Sequence, residues 1–335
     1  MESEKANTPT PPVGVIESLT RGFETVAGSL ALILLPLLLD LFLWVGPRLT
    51  FRPAFLSYYH DFWEPMVASM DEEVQSGLNQ TGDLILELSE DMPDQYLPIF
   101  GMPSLMAWRE AEPLPFDYLP PVVEMRTPVD VLGVNVLSIL AGFVLLGCYI
   151  AIIAEKVKSG KAKPGKILSR LPINMIWLGI FFFAAVILLF LVYLPFLLVA
   201  VSFALVSDWL AVLVNFLGLL LVLWIGVFVI FTIHGIFLNE RGVFRALWDS
   251  VRVVQWNMPA TLMLFLLIMI LSSALSQIWL LAPAHTWMTV LAIGANAFIQ
   301  TGLIAATFFY FKDRYRYWEE SRAEMLAKLE QRRIQ

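Results

Sequence analysis

The sequence predicts an all-α integral membrane protein: six transmembrane helices forming three helical hairpins, led by interfacial amphipathic helices, with one large extracytoplasmic loop domain. Three observations carry this. Of 335 residues, 58% are apolar and only 15% charged, with a mean hydropathy of +0.72, too apolar for an ordinary soluble domain. No Asp, Glu, Lys or Arg occurs from Leu171 to Ser207, from Trp209 to Asn239 or from Val253 to Phe311, and uncharged runs of that length read as membrane-spanning. Finally, 18 of the 22 Lys and Arg fall in segments that lie on one side if the N-terminus is cytoplasmic, the bias expected of cytoplasmic segments.

Cutting the apolar runs at charges, prolines and polar turns places the spans at roughly 26–46, 131–154, 173–200, 209–233, 259–281 and 287–311. The corresponding domains are a disordered cytoplasmic tail over 1–12, an interfacial helix plus first span over 13–46, an acidic extracytoplasmic loop domain over 47–130, a bundle of five spans over 131–311, and a cytoplasmic C-terminal helix over 312–335. The first apolar run is read as a retained anchor: its core is too long for a signal peptide, its flank is not basic, and no small-x-small site follows Gly46.

Ahead of the first span, Val13, Ile16, Leu19, Phe23 and Val26 share one helix face, with Glu17, Arg21 and Glu24 elsewhere. Val243, Leu247, Val251 and Val254 repeat the pattern before the fifth span, and sliding Gly14 onto Gly242 matches Val15 with Val243, Leu19 with Leu247 and Val26 with Val254. A shorter, more basic stretch, Gly165 to Ile173, suggests a third copy.

The segment 47–130 holds 15 Asp or Glu against 4 Arg. Its first half has helical spacing, with Phe55, Tyr59, Phe62, Met66 and Met70 on one face, then Leu84, Ile85, Leu88 and Met92, leaving Asp71, Glu72 and Glu73 to face water. Eight prolines between Pro93 and Pro128 exclude a regular helix or a central strand. Tyr96, Phe100, Trp108, Phe116 and Tyr118 suit a membrane interface or a small packed cap, so the segment is expected to form an acidic lid.

Composition narrows the function more than motifs do. A net charge of -7 argues against a nucleic-acid partner. The single Cys148 permits no intrachain disulfide and is expected to be an inert packed thiol. No H-E-x-x-H, G-x-S-x-G, Walker-type glycine loop or C-x-x-C is present, so no cofactor is expected and no catalytic residue is nominated. An enzyme would need carboxylates of the acidic loop to converge with a histidine.

Three sets of residues remain as candidates. Asp40 is the only acidic residue inside a span, and Asn296 and Gln300 lie one turn apart on the sixth. Together they would line a polar ligand or transport path, although Asp40 is close enough to the outer end to meet interfacial water or Arg48, and buried amides commonly tie helices together. Asn215 and Gln277 are read as such ties, and Ala297-Thr301-Ala305, Ser272-Ser276 and Ser138-Gly142 as close helix contacts. His60, Asp61 and Glu64, with Asp208 and His285 in outer turns, form a possible outer-face cluster, set against a solvated helix surface and, for Ser207-Asp208, a helix N-cap. Lys156, Lys158, Lys161, Lys163, Lys166 and Arg170 would meet anionic lipid headgroups or simply record topology. In the C-terminal helix, Tyr315, Tyr317 and Trp318 sit at the interface and Glu324 pairs with Lys328.

Ala246-Leu247-Trp248-Asp249-Ser250, followed by Asn257 and Pro259 and an apolar helix, resembles the six-helix membrane domain fused to some glycerophosphodiester phosphodiesterases and related uncharacterised bacterial integral membrane families. The resemblance covers the hairpins as patterning and is specific around residues 242–260. It implies a multi-helix module of a bacterial plasma (inner) membrane, with both termini cytoplasmic, and carries no phosphodiesterase activity, since that soluble domain is missing. The leading expectation is a non-catalytic scaffold or accessory subunit that contacts membrane lipids and a partner membrane protein or a second copy. The alternative is a transporter or permease-like protein with a polar path under the acidic loop. A transporter requires a polar cavity between spans, whereas a scaffold should show dry, closed packing.

Overall fold

A computed structural model describes residues 11–90, 95–96, 101–109, 113–283 and 285–334. The expected tail over 1–12 therefore falls almost wholly outside the described residues, as do Met92 and Phe100 and the side chains of Glu72, Glu73, Leu88, Tyr96 and Trp108. The chain is all-α apart from one small sheet. Five of the described helices are long and apolar enough to cross a membrane, or six if the broken pair Val15–Ala27 and Leu30–Val45 counts as one span. The chain divides into two compact units, one of residues up to 29, 147–270 and from 301 onward, the other of residues 30–146 and 271–300.

The first unit holds α1 (Val15–Ala27) and the C-terminal part of α6, the helix Pro128–Ser159 of both units. It also holds α7 (Pro164–Ala204), α8 (Asp208–Val229), α9 (Thr232–Asn239) and α10 (Val243–Trp256). Two further helices contribute one part to each unit, α11 (Met258–Leu280) and α12 (Met288–Ile334). α1 and α10 share part of the paired amphipathic pattern: Leu19 is buried but its match Leu247 only half so, and Asp249, expected on the polar face, is buried. Both start after an extended glycine, Gly14 at φ -63°, ψ 164° and Gly242 at φ -68°, ψ 158°. Both bury the aligned positions Val15/Val243, Ser18/Ala246, Gly22/Ser250 and Val26/Val254. Ile16 is exposed, so the buried face of α1 is rotated towards Val15, Ser18 and Gly22. Gly22 permits this: a Cβ there would stand 2.4 Å from the Gly302 carbonyl oxygen and 2.7 Å from the Ala306 nitrogen. The small residues of α12 thus seat α1. The stretch 165–173 forms no separate helix, because α7 runs through Pro172, which removes a single backbone donor.

Ser250 shows why the 246–250 stretch matters. α8 and α9 are separated by a break at Ile230–Phe231, and the Ser250 hydroxyl donates to the Phe228 carbonyl at 2.6 Å and accepts the Phe231 N–H at 3.1 Å. One hydroxyl satisfies both backbone groups that the break exposes. Ala246 packs on Gly235, where a Cβ would lie 2.9 Å from the Ala246 Cβ. The C-terminal part of α12 docks onto its own unit: Arg21 and Asp313 pair at 3.1 Å, Arg241 and Glu319 at 3.5 Å, and Arg252 stacks over Trp318 at 4.8 Å.

The second unit holds the 3-10 turn Leu30–Ile33, α2 (Leu34–Val45), β1 (Arg48–Thr50), α3 (Arg52–Tyr58), α4 (Glu64–Ala68), α5 (Glu72–Glu90), β2 (Gln95–Tyr96) and β3 (Val122–Glu124). The sheet order is β2-β1-β3, antiparallel then parallel, so the proline-rich segment supplies edge strands only, as its missing donors require. A π-helical turn, Tyr59–Trp63, joins α3 to α4. Its extra residue rotates the helix face, and Phe62 and Met70 are exposed while Ala54 and Val67 are buried. The expected apolar face of this stretch is corrected accordingly. Phe116 stacks on Trp287 at 5.8 Å and meets Trp44 edge-on at 6.2 Å; Trp44 is buried while Phe116 and Trp287 are exposed, so the rings form a surface cluster rather than a packed cap.

Candidate functional site

Within the second unit, α11 and α12 bring amides and hydroxyls together. Ser272 Oγ lies 3.1 Å from Gln300 Oε1 and 2.8 Å from Nε2, which also donates to Ser276 Oγ at 3.3 Å; Ser276 donates to Asn296 Oδ1 at 3.3 Å. The spacing explains the set: 272 and 276, like 296 and 300, are one turn apart and share a helix face. These residues, with Ser273 and Gln277, form one wall of a cavity of about 490 Å³. The other wall comes from Met102, Pro103, Ser104 and Leu105. Ser272 and Ser276, expected as close helix contacts, do tie α11 to α12 through these bonds, and they also border the cavity.

Asp40 fixes the second wall. It is fully buried, accepting the Ser104 hydroxyl, the Leu105 N–H at 2.9 Å and the Met106 N–H at 3.2 Å. Ser104 Oγ in turn accepts the Ala107 N–H at 3.0 Å, within the 3-10 turn Met106–Trp108 that follows it. At the other end of this loop, Arg109 donates to the Ala282 carbonyl. Asp40 thus stands behind the cavity wall rather than on it, and positions the 101–109 loop between Asn296, Gln300 and the rest of the unit. A carboxylate takes this place because it offers several lone pairs to converging donors.

No match was found among family models, curated proteins or solved structures.

The remaining candidates are placed differently. His60 Nδ1 lies 3.1 Å from Glu64 Oε2 on an exposed helix face, and Asp61 accepts the Ser57 hydroxyl at 2.9 Å. His285 is exposed, and Asp208 belongs to the other unit. Among the described residues no three His, Cys, Asp or Glu side chains come together to hold a metal. Ser207, not Asp208, takes the N-cap position of α8, without a side-chain cap; Asp208 opens the helix, where its charge suits the dipole.

The basic loop is partly consumed within its own unit. Glu240 receives Lys158 at 2.9 Å, Arg170 at 3.2 Å and Lys166 at 3.8 Å, and Lys166 also reaches Glu155 at 3.0 Å. The Lys158 hydrogen bond, reinforced by the charges of Lys158, Arg170 and Lys166, holds the Glu240 carboxyl below the ordinary carboxylate range. Glu240 adopts a left-handed conformation at φ 53° to reach them. Lys156, Lys161 and Lys163 make no ion pair among the described residues and remain available to headgroups. Asn215 accepts from Tyr193 at 3.3 Å, tying α7 to α8, and Cys148 is partly buried.

Ser104, Ser273 and the 101–109 backbone escaped the sequence reading. Ser104 carried a usable signal, a serine three residues before the amide whose N–H it accepts. The partnership of Asp40 with residues 64–66 positions away had none.

Proposed function

We propose that this chain is a non-catalytic, permease-like membrane protein that admits a polar solute into the cavity walled by Ser272, Ser276, Asn296, Gln300 and the 101–109 loop. The observation that carries the reading is the cavity itself, which a dry scaffold would not maintain. Asn296 and Gln300 lie about 12 and 18 Å along α12 from its start, at 1.5 Å per residue. In a hydrocarbon core of about 30 Å that depth reaches towards mid-membrane, where hydroxyls and amides without a ligand or water are unfavourable.

In this reading six spans, the first of them Leu30–Val45 with α1 lying at the interface ahead of it, form three hairpins led by α1, the start of α7 and α10. Both termini are cytoplasmic, residues 47–130 are extracytoplasmic, and the compartment is a bacterial inner membrane. The Lys/Arg distribution supports the orientation, and the matched glycine caps and buried faces of α1 and α10 support the repeat.

A scaffold role keeps one observation in its favour. α7 and α8 expose apolar side chains widely, among them Phe183, Leu191, Leu198, Trp209 and Phe216, a surface suited to lipid or to another membrane helix.

Osmotic reswelling of proteoliposomes separates the two. With glycerol or urea as the probe, vesicles carrying the full chain are expected to reswell several times faster than protein-free vesicles. Equal rates with both probes would overturn the permease reading and leave the scaffold.

A further inference from the structure

We infer that the cavity recognises the neutral, hydroxyl-rich surface of a sugar or polyol, presented either as a free solute or as a glycolipid headgroup. This rests on the reading of the cavity as a solute site and specifies its chemistry.

Charge is the first argument. Among the described residues no charged side chain lines the cavity, and Asp40, behind its wall, is buried with its oxygens engaged by three donors. An ion entering would find no counter-charge among these lining side chains, a costly arrangement at a depth away from bulk water.

Hydrogen-bonding capacity is the second. Asn296 is only 3% exposed, and among the described residues its amide has one side-chain bond, from Ser276 at 3.3 Å. Ser273 and Gln277 line the cavity and make no hydrogen bond among the described residues. Two of the internal bonds stretch to 3.3 Å, near the long limit for such contacts, so these groups can turn to a ligand with little loss. Amides present a donor and an acceptor side by side, matching vicinal hydroxyls that each donate and accept.

Shape is the third. Met102, Pro103, Leu105 and Leu280 give the cavity an apolar strip for the C–H face of a sugar ring. Its volume of about 490 Å³ lies within the ordinary range of small-molecule pockets.

The test is calorimetric titration of the full chain in phosphatidylcholine nanodiscs, purified without sugar-based detergent. The probes are glucose and maltose, glucose 6-phosphate and glucosamine as charged counterparts, and monoglucosyldiacylglycerol incorporated in the disc and read by native mass spectrometry. Neutral sugar is expected to bind at least tenfold more tightly than either charged form, or the glucolipid to be retained at least tenfold over phosphatidylglycerol; whichever arm responds identifies the source. Asn296→Leu should weaken that binding at least tenfold. The cavity-lining Ser273→Val, whose side chain is exposed and so spares folding, should weaken it severalfold. Absence of binding in both neutral arms, equal binding of charged sugars, or insensitivity to both substitutions would overturn the inference. Rapid glycerol or urea flux with no sugar bound would sink the sugar assignment alone, whereas sugar binding without flux would sink the permease reading alone.

Discussion

Replacing Asp40 by Asn tests the idea that one buried carboxylate holds a wall of the cavity. Three donors converge on it, the Ser104 hydroxyl and the Leu105 and Met106 amides. Hydrogen bonds to a charged acceptor contribute roughly 1.5–3 kcal/mol each, and a buried donor left unmade costs about 1–3 kcal/mol. Asparagine keeps one acceptor oxygen and turns an NH₂ towards the remaining donors. A net loss of about 3 kcal/mol follows, equivalent to about two orders of magnitude in the opening equilibrium of the loop. Hydrogen exchange followed by mass spectrometry, on peptides covering 101–109, should show protection of the Leu105 and Met106 amides falling by that factor. Amides within α9 and α10 of the other unit should keep theirs. A cycle with Ser104→Ala should give a coupling energy of about 1–2 kcal/mol, as expected for directly bonded partners. Unchanged protection at Leu105 and Met106 would refute the argument.

Three further outcomes are expected. Ser250→Ala leaves the buried Phe231 N–H and Phe228 carbonyl without their shared partner and should destabilise the chain by about 2–3 kcal/mol, read as a lower midpoint of denaturation in mild detergent; no shift would contradict its role in splicing the α8–α9 break. Gly22→Leu forces a side chain into the backbone of Gly302 and Ala306 and should cost about 1–3 kcal/mol or more; chymotrypsin should then cut at Phe23 faster than in the parent, and equal rates would count against the α1–α12 seat. The Glu240 carboxyl is held below its ordinary range in the folded chain, so its stabilisation is full above its unfolded value near 4.5 and is lost as pH falls through the lower folded value. Glu240→Gln should therefore lower the melting temperature at pH 7 and shrink the difference from the parent as pH falls below about 4.5; a difference independent of pH would exclude the ion cluster as its source.

The long apolar helices were legible because helices long and apolar enough to cross a membrane need long uncharged runs, which leave a direct trace in sequence. The pairing of α1 with α10 was legible too, since matching glycines, small residues and valines recur at one offset. Element ends were less so: the proline at 172 reads as a boundary, yet α7 passes through it, and the charged tail from 312 reads as a new segment, yet α12 continues unbroken to Ile334. Local pattern cannot show where tertiary contacts sustain a helix past an unfavourable residue. The π-helical turn at Tyr59–Trp63 likewise shifts the apolar face by a residue that no periodicity count reveals. At the candidate site, Asn296 and Gln300 were visible as amides in an apolar helix. Whether they tie helices or line a cavity depends on what faces them, and that is set by the 101–109 loop and by Asp40, distant in sequence.

The account rests on the Ser272–Gln300 region being an open polar cavity rather than closed helix packing. Single-cysteine labelling addresses this directly: in a Cys148→Ala background, Ser273→Cys and, as a lipid-facing control, Leu266→Cys are exposed to a membrane-impermeant maleimide in sealed proteoliposomes. Labelling at 273 with little at 266, and slower labelling at 273 when Asn296 is replaced by a bulky Trp, is the expected result. Failure of 273 to label from either side of the membrane, at a rate no greater than 266, would contradict it.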